Sequence, residues 1–152
     1  LKPFEKILDS IYQKVYHYSG DIVKDVYITV KLCRDLNLIQ QAYTFLRENI
    51  VNYLCIVAEI DLYKVQNRDE ISNLINNYNN KEEKCKSNES LESDNKAKQY
   101  IGSNVANLYR EIGSARNDLN HAGYRDNPMK TDTFVNKLDG NIKKFEEVFK
   151  IH

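Results

Sequence analysis

Apolar residues in this chain recur every three or four positions, which is the spacing of an amphipathic α-helix and not the alternation of a half-buried strand. Phe4, Ile7, Leu8, Ile11, Val15 and Tyr18 form one such stripe, so a first helix is expected from about Pro3 to Tyr18, stopped by Ser19-Gly20. Asp21 stands in the N-cap position ahead of a second stripe of Ile22, Val23, Val26, Val30 and Cys33. The β-branched stretch from Val26 to Val30 is the one place where a strand competes, but its period is nearer 3.6 than 2. Asn37 breaks or caps that helix. Ile39, Ala42, Tyr43, Leu46, Ile50, Tyr53, Leu54, Val57 and Ile60 make the longest and most apolar run, the natural central helix of a bundle.

A shorter piece surrounds Ile71, Leu74 and Ile75, after which residues 76–96 turn to Asn, Lys, Glu and Ser with Leu91 nearly their only hydrophobe. That composition predicts a flexible, solvated insertion. A fifth helix is expected from about Ala97 to Ala122, followed by a loop through Gly123 to Pro128. Thr131 or Asp132 is expected to cap a last helix carrying Phe134, Val135, Leu138, Ile142, Phe145, Val148, Phe149 and Ile151, interrupted at Gly140. No internal repeat is visible. The expected fold is all-α, a bundle of about five to six helices forming a single domain over 1–152.

Composition narrows the possible functions. The 152 residues carry 22 basic and 22 acidic side chains, with 41% hydrophobic and 29% charged residues, enough to build a core. Zero net charge excludes a protein that holds polynucleotide by broad phosphate neutralisation, so any nucleic-acid function must rest on a local site. No apolar run approaches the roughly 18 to 20 residues of a membrane span, and nothing reads as a signal peptide, so a cytoplasmic location is expected. Cys33, Cys55 and Cys85 are widely spaced and odd in number, which reads as reduced thiols; the first two lie in apolar stripes and the third in a polar one. His17, His121 and His152 have no ligand spacing with them, so no metal and no cofactor is expected. The chain begins at Leu1, so a processed chain or a fragment of a longer protein is expected.

One constellation carries chemistry. The fifth helix contains Ala115-Arg116-Asn117-Asp118-Leu119-Asn120-His121-Ala122-Gly123. On a wheel of about 100° per residue with Gly102 at zero, its apolar face of Ile101, Val105, Leu108, Ile112, Ala115 and Leu119 centres near 260°. Arg116 then falls at roughly 320°, Asn120 near 0°, Asn117 near 60° and His121 near 100°. Gly102, Ala106 and Gly113 occupy the strip from about 0° to 40°, where a bare surface lets another backbone approach. Arg116 and His121 are about 140° apart, so one copy makes a splayed site. Two copies meeting along the small strip bring two Arg, two Asn and two His into one cleft, which predicts a homodimer across this helix.

The set suits cleavage of single-stranded RNA through its 2′-hydroxyl. An imidazole, which titrates near 6.5 when unperturbed, can take the 2′-OH proton or protonate the 5′-oxygen. A guanidinium presents a fixed fork to phosphate oxygens as charge builds on them. Asn117 orients one or the other. Asn120, Tyr109 near 340° beside Arg116, and Tyr124 and Arg125 just beyond the motif are the expected substrate contacts. Tyr12, Tyr16 and Tyr27 are read as half-buried on amphipathic helices. By itself an Arg and a His at this spacing is weak, since an Arg bridging helices and a His at a helix C-terminus is an ordinary structural pair.

Arg116-Asn117 followed by Asn120-His121-Ala122-Gly123, with the stretch from Asn37 to Glu48 and its Gln40-Gln41-Ala42 and Glu48, resembles the HEPN superfamily, and most closely the HEPN domain of CRISPR-associated CARF-HEPN ribonucleases of type III systems. The resemblance is sharp only at those two stretches. It implies a dimerising helical bundle with metal-independent endoribonuclease activity in antiviral defence, leaving a 2′,3′-cyclic phosphate and a 5′-hydroxyl. Arg116, Asn117 and His121 would be catalytic, and Gln40, Gln41 and Glu48 would support packing. The strand-and-helix CARF pattern that senses cyclic oligoadenylate is missing here, so such regulation is implied only through an N-terminal domain of a parent protein. Two other functions fit the same features: a non-catalytic HEPN-like binding or dimerisation domain, and the toxin of a toxin and antitoxin pair.

Overall fold

A computed structural model describes residues 2–78, 96–121 and 130–151. The third expected helix is indeed central. Named α3, it spans Ile39–Val57 and buries Ala42, Tyr43, Leu46, Ile50, Val51, Leu54 and Cys55. Side chains on such different faces are all covered because α3 packs against α2 (Ile22–Asp35), α4 (Val65–Asn76), α5 (Ser103–Asn120) and α6 (Thr131–Phe149). Further contacts join α4 to α5 and α5 to α6, closing the bundle. The described residues contain no strand, and the fold is all-α. No helix among them is long and apolar enough to cross a membrane.

Hydrogen bonds fix how the helices meet. The buried Tyr43 hydroxyl donates to the Phe134 carbonyl at 2.8 Å, tying α3 to α6, and Asn49 Nδ2 donates to the Val23 carbonyl at 2.8 Å, tying α3 to α2. Arg34 on α2 grips Asp139 on α6 with two bonds of 2.7 and 2.8 Å. Tyr27 donates to Glu146 across the same pair of helices. Arg68 on α4 donates to Glu48 at 2.7 Å and to Asn52 Oδ1 at 2.6 Å. The Tyr43 and Asn49 bonds satisfy polar groups that packing would otherwise strand in the core.

The helix boundaries follow local chemistry, with several departures from expectation. Asp21 caps α2, accepting from the Val23 and Lys24 amides. Gly20 precedes it at φ +85, where a Cβ would be strained, and Asn37 ends α2 at φ 58. The Asp25 carboxylate accepts from the Ser19 and Gly20 amides at 2.7 and 2.8 Å, which holds its pKa below the usual carboxylate range. α3 stops at Val57 and not at Ile60, because Glu59 turns to φ 57. The fifth expected helix is split: residues 96–98 are helical, Ile101 is outside any helix and buried, and Gly102, in extended conformation, is the N-cap of α5. His121 is the C-cap of α5 and not an interior residue. Neither Thr131 nor Asp132 caps α6; the N-cap is Lys130, without a side-chain bond, and Gly140 leaves the helix unbroken.

The first helix, α1, spans Lys2–Val15 and carries the expected stripe, but that stripe faces solvent. Phe4 is 66% exposed and Ile11 53%, and α1 packs extensively against no other described helix. Tyr12 and Tyr16 are therefore exposed where half-burial was expected, while Tyr27 is buried. Cys33 and Cys55 are free and buried, and burial raises both thiol pKa values. Cys85 and most of the 76–96 insertion lie outside the described residues.

Candidate functional site

α5 runs antiparallel to α3, and two contacts fix their register. Gln40 Nε2 donates to Asn120 Oδ1 at 2.7 Å, and a Cβ built on Gly113 would lie 3.5 Å from Arg47 Nε. Both pairs of residue numbers add to 160, so the same register sets Thr44 at the level of Arg116. Gln40, Thr44 and Arg47 are spaced by four and three residues and share one face of α3. Tyr109, Gly113, Arg116 and Asn120, spaced by four, three and four, share the facing side of α5. The two rows form one polar seam that ends at His121.

Three of the five described arginines bond to polar neighbours, but the two in the seam do not. Arg34 and Arg68 hold carboxylates, and Arg110 hydrogen-bonds Asn107 at 3.2 Å. Arg116 is half-buried and its Nε is shielded from solvent, yet it makes no hydrogen bond to any described residue. The same is true of Arg47, whose guanidinium carbon sits 4.1 Å from the centre of the Tyr109 ring. Glu48, next to Arg47 in the chain, is taken up by Arg68 at 2.7 Å. The seam therefore holds two cations whose shielded Nε atoms have no acceptor among the described residues, in a lowered local dielectric that strengthens attraction for an anion.

The expected site residues divide by position. Arg116, Asn117 and His121 all lie at the end of α5, with Asn117 and His121 exposed and Arg116 half-buried toward the seam. Asn120 is also exposed, with its side-chain oxygen taken by Gln40. Gln40 thus holds a residue of the motif in place, as a support for the site. Tyr109 is corrected from a base contact to a buried platform: it is 1% exposed and the Arg47 guanidinium covers its ring face, so no base can stack there. Tyr124 and Arg125 lie outside the described residues.

The small-residue strip is also used differently from what the helix wheel suggested. Ala106 is fully buried within its own chain, and Gly113 is approached by Arg47 of α3. Only Gly102 has open space around its Cβ position. The Cβ position of Gly113 faces α3 inside the monomer, at ordinary contact distance from Arg47 Nε.

Sequence reasoning missed Arg47. It stands in the quoted stretch before Glu48, and its seven-residue spacing from Gln40 was the available signal. Phe45, 39% exposed, was missed too; with Gln40, Gln41 and Thr44 it lines a shallow hollow of about 180 Å³ beside the seam. Among the described residues no three His, Cys, Asp or Glu side chains are grouped as a metal site. Comparison of the chain with protein-family models, with characterised proteins and with solved structures finds no match.

Proposed function

We propose that this domain is a metal-independent endoribonuclease of the HEPN type, acting on single-stranded RNA as a homodimer in the cytoplasm, in CRISPR type III antiviral defence. The observation that carries this reading is Arg116, a half-buried cation whose shielded Nε has no carboxylate or hydrogen-bond partner among the described residues, five residues from an exposed His121 and next to an exposed Asn117. A charged group is rarely left so in a folded protein unless a ligand supplies its partner.

The chemistry follows from those side chains. The His121 imidazole takes the proton from a ribose 2′-hydroxyl, and the 2′-oxygen attacks the adjacent phosphorus. Arg116 donates to the non-bridging oxygens as negative charge accumulates there. The bond from phosphorus to the 5′-oxygen breaks and that oxygen takes a proton, leaving a 2′,3′-cyclic phosphate and a 5′-hydroxyl. Because Arg116 and His121 diverge by about 140° around α5, a second copy is needed to supply the opposite acid or base, and Asn117 and His121 lie on the surface such a copy would meet.

The test is cleavage of a fluorescent oligoribonucleotide by the purified protein in EDTA. Arg116→Ala and His121→Ala are each expected to reduce cleavage by about a hundredfold or more. Unchanged cleavage by both variants refutes the mechanism, and full activity from a protein that sediments as a monomer refutes the shared site.

A further inference from the structure

Arg47 packs on α5 and also has the features of a binding group. Its Nε lies 3.5 Å from where a Cβ on Gly113 would stand, and its guanidinium carbon sits 4.1 Å from the centre of the buried Tyr109 ring. A cation–π contact of this kind holds the guanidinium over the ring without using its donors. Nε is shielded from solvent and has no acceptor, and the neighbouring acid Glu48 is turned away to Arg68. Tyr109 beneath it is 1% exposed with a hydroxyl that has no described partner, so the platform is held by packing alone. In register, Arg47 lies one helical turn from Arg116, about 5 Å along the axis of α5, and Arg116 has the same unmet Nε.

We infer that Arg47 is a second phosphate-binding residue of the site, holding the RNA backbone at the phosphate next to the one that Arg116 clamps. This rests on the ribonuclease reading for the identity of the ligand. Two guanidiniums a turn apart on one seam suit a linear polyanion laid along the α3–α5 seam better than a single small anion. Arg47 is remote from His121, so it binds and positions substrate and takes no part in proton transfer. A local pair of cations also explains how a chain with no net charge holds RNA: two contacts per copy suffice where a broad basic face is absent.

The experiment measures binding and cleavage separately. Binding of a labelled 2′-O-methyl oligoribonucleotide, which lacks the nucleophile, is followed by fluorescence anisotropy across a salt series for the wild type, Arg47→Met and Arg47→Lys. Arg47→Met keeps the apolar stem over Tyr109, and its fold is checked by circular dichroism. The inference expects Arg47→Met to weaken binding about tenfold and to lower the salt slope by about 0.7, the share of one phosphate on a single strand. Arg47→Lys should keep the slope and lose part of the affinity, because the fork and its stacking are gone. In cleavage assays the expected effect of Arg47→Met is a raised KM with kcat nearly retained. Wild-type affinity and slope in a folded Arg47→Met protein overturn the inference while leaving the ribonuclease intact if cleavage persists. If the wild type binds RNA but cleaves none, and Arg47→Met still lowers affinity and slope, the phosphate role stands and the nuclease reading falls. A wild type that neither binds nor cleaves single-stranded RNA overturns both.

Discussion

Gly113 gives a direct measure of how α3 and α5 are packed. It sits inside α5, where a glycine costs about 0.8 to 1.0 kcal/mol relative to alanine through lost backbone entropy. A methyl group at this position would meet Arg47 Nε at 3.5 Å, an ordinary van der Waals contact, and nothing else nearer than 4 Å. Gly113→Ala should therefore recover most of the propensity term without steric cost, stabilising the protein by about 0.5 to 1 kcal/mol. For a domain of this size that raises Tm by about 2 to 4 °C. Gly113→Ile has the opposite sign, since its branches must displace Arg47 from the Tyr109 ring and lose a stacking contact of about 0.5 to 2 kcal/mol together with packing. Urea titration and thermal melts of the three proteins, read by circular dichroism, give the values. Two results refute the reasoning: a Gly113→Ala protein less stable than wild type by 1 kcal/mol, or a Gly113→Ile protein as stable as Gly113→Ala.

Two further predictions concern the bonds that hold α6. Tyr43→Phe removes the buried hydroxyl that bonds the Phe134 carbonyl, and it should cost about 1 to 3 kcal/mol in chemical denaturation. Burial also pushes the Tyr43 phenol well above its ordinary value, as burial and Glu146 do for Tyr27, so the stability they confer is complete below the unfolded tyrosine value of about 10 and is lost as pH rises beyond it. Tyr43→Phe should make that alkaline loss shallower; an unchanged profile would count against this account. At the acid end, hydrogen bonds from Arg34 hold the Asp139 carboxyl below the usual range, so its contribution is present above the unfolded aspartate value of about 3.9 and disappears as pH falls through the folded one. The pair is more than a third exposed, so the effect is modest. Arg34→Met should flatten the acid limb of a melting profile, and a limb as steep as wild type would contradict the assignment.

The amino-acid sequence alone determined the class of structure and the existence of its elements. Periodic apolar positions specify helices at 22–35, 39–57 and 131–149 because a helix must bury a continuous stripe, and Asp21 and Asn37 set boundaries by chemistry local to one turn. The Arg116, Asn117 and His121 group was legible for the same reason, since their order around α5 follows from residue spacing. What only the tertiary structure decided is which face meets which. A stripe says that a helix has an apolar side and not that anything covers it, so α1 reads like its neighbours in sequence and stays exposed in the fold. Tyr109 looked like a base contact on the wheel, yet α3 brings Arg47 over it and turns it into a support. Gly113 looked like room for a second molecule and is room for a side chain of the same one. Residues 47 and 113 are brought together by the antiparallel packing of two helices, and contacts between residues so far apart in the chain leave no periodic trace in either segment.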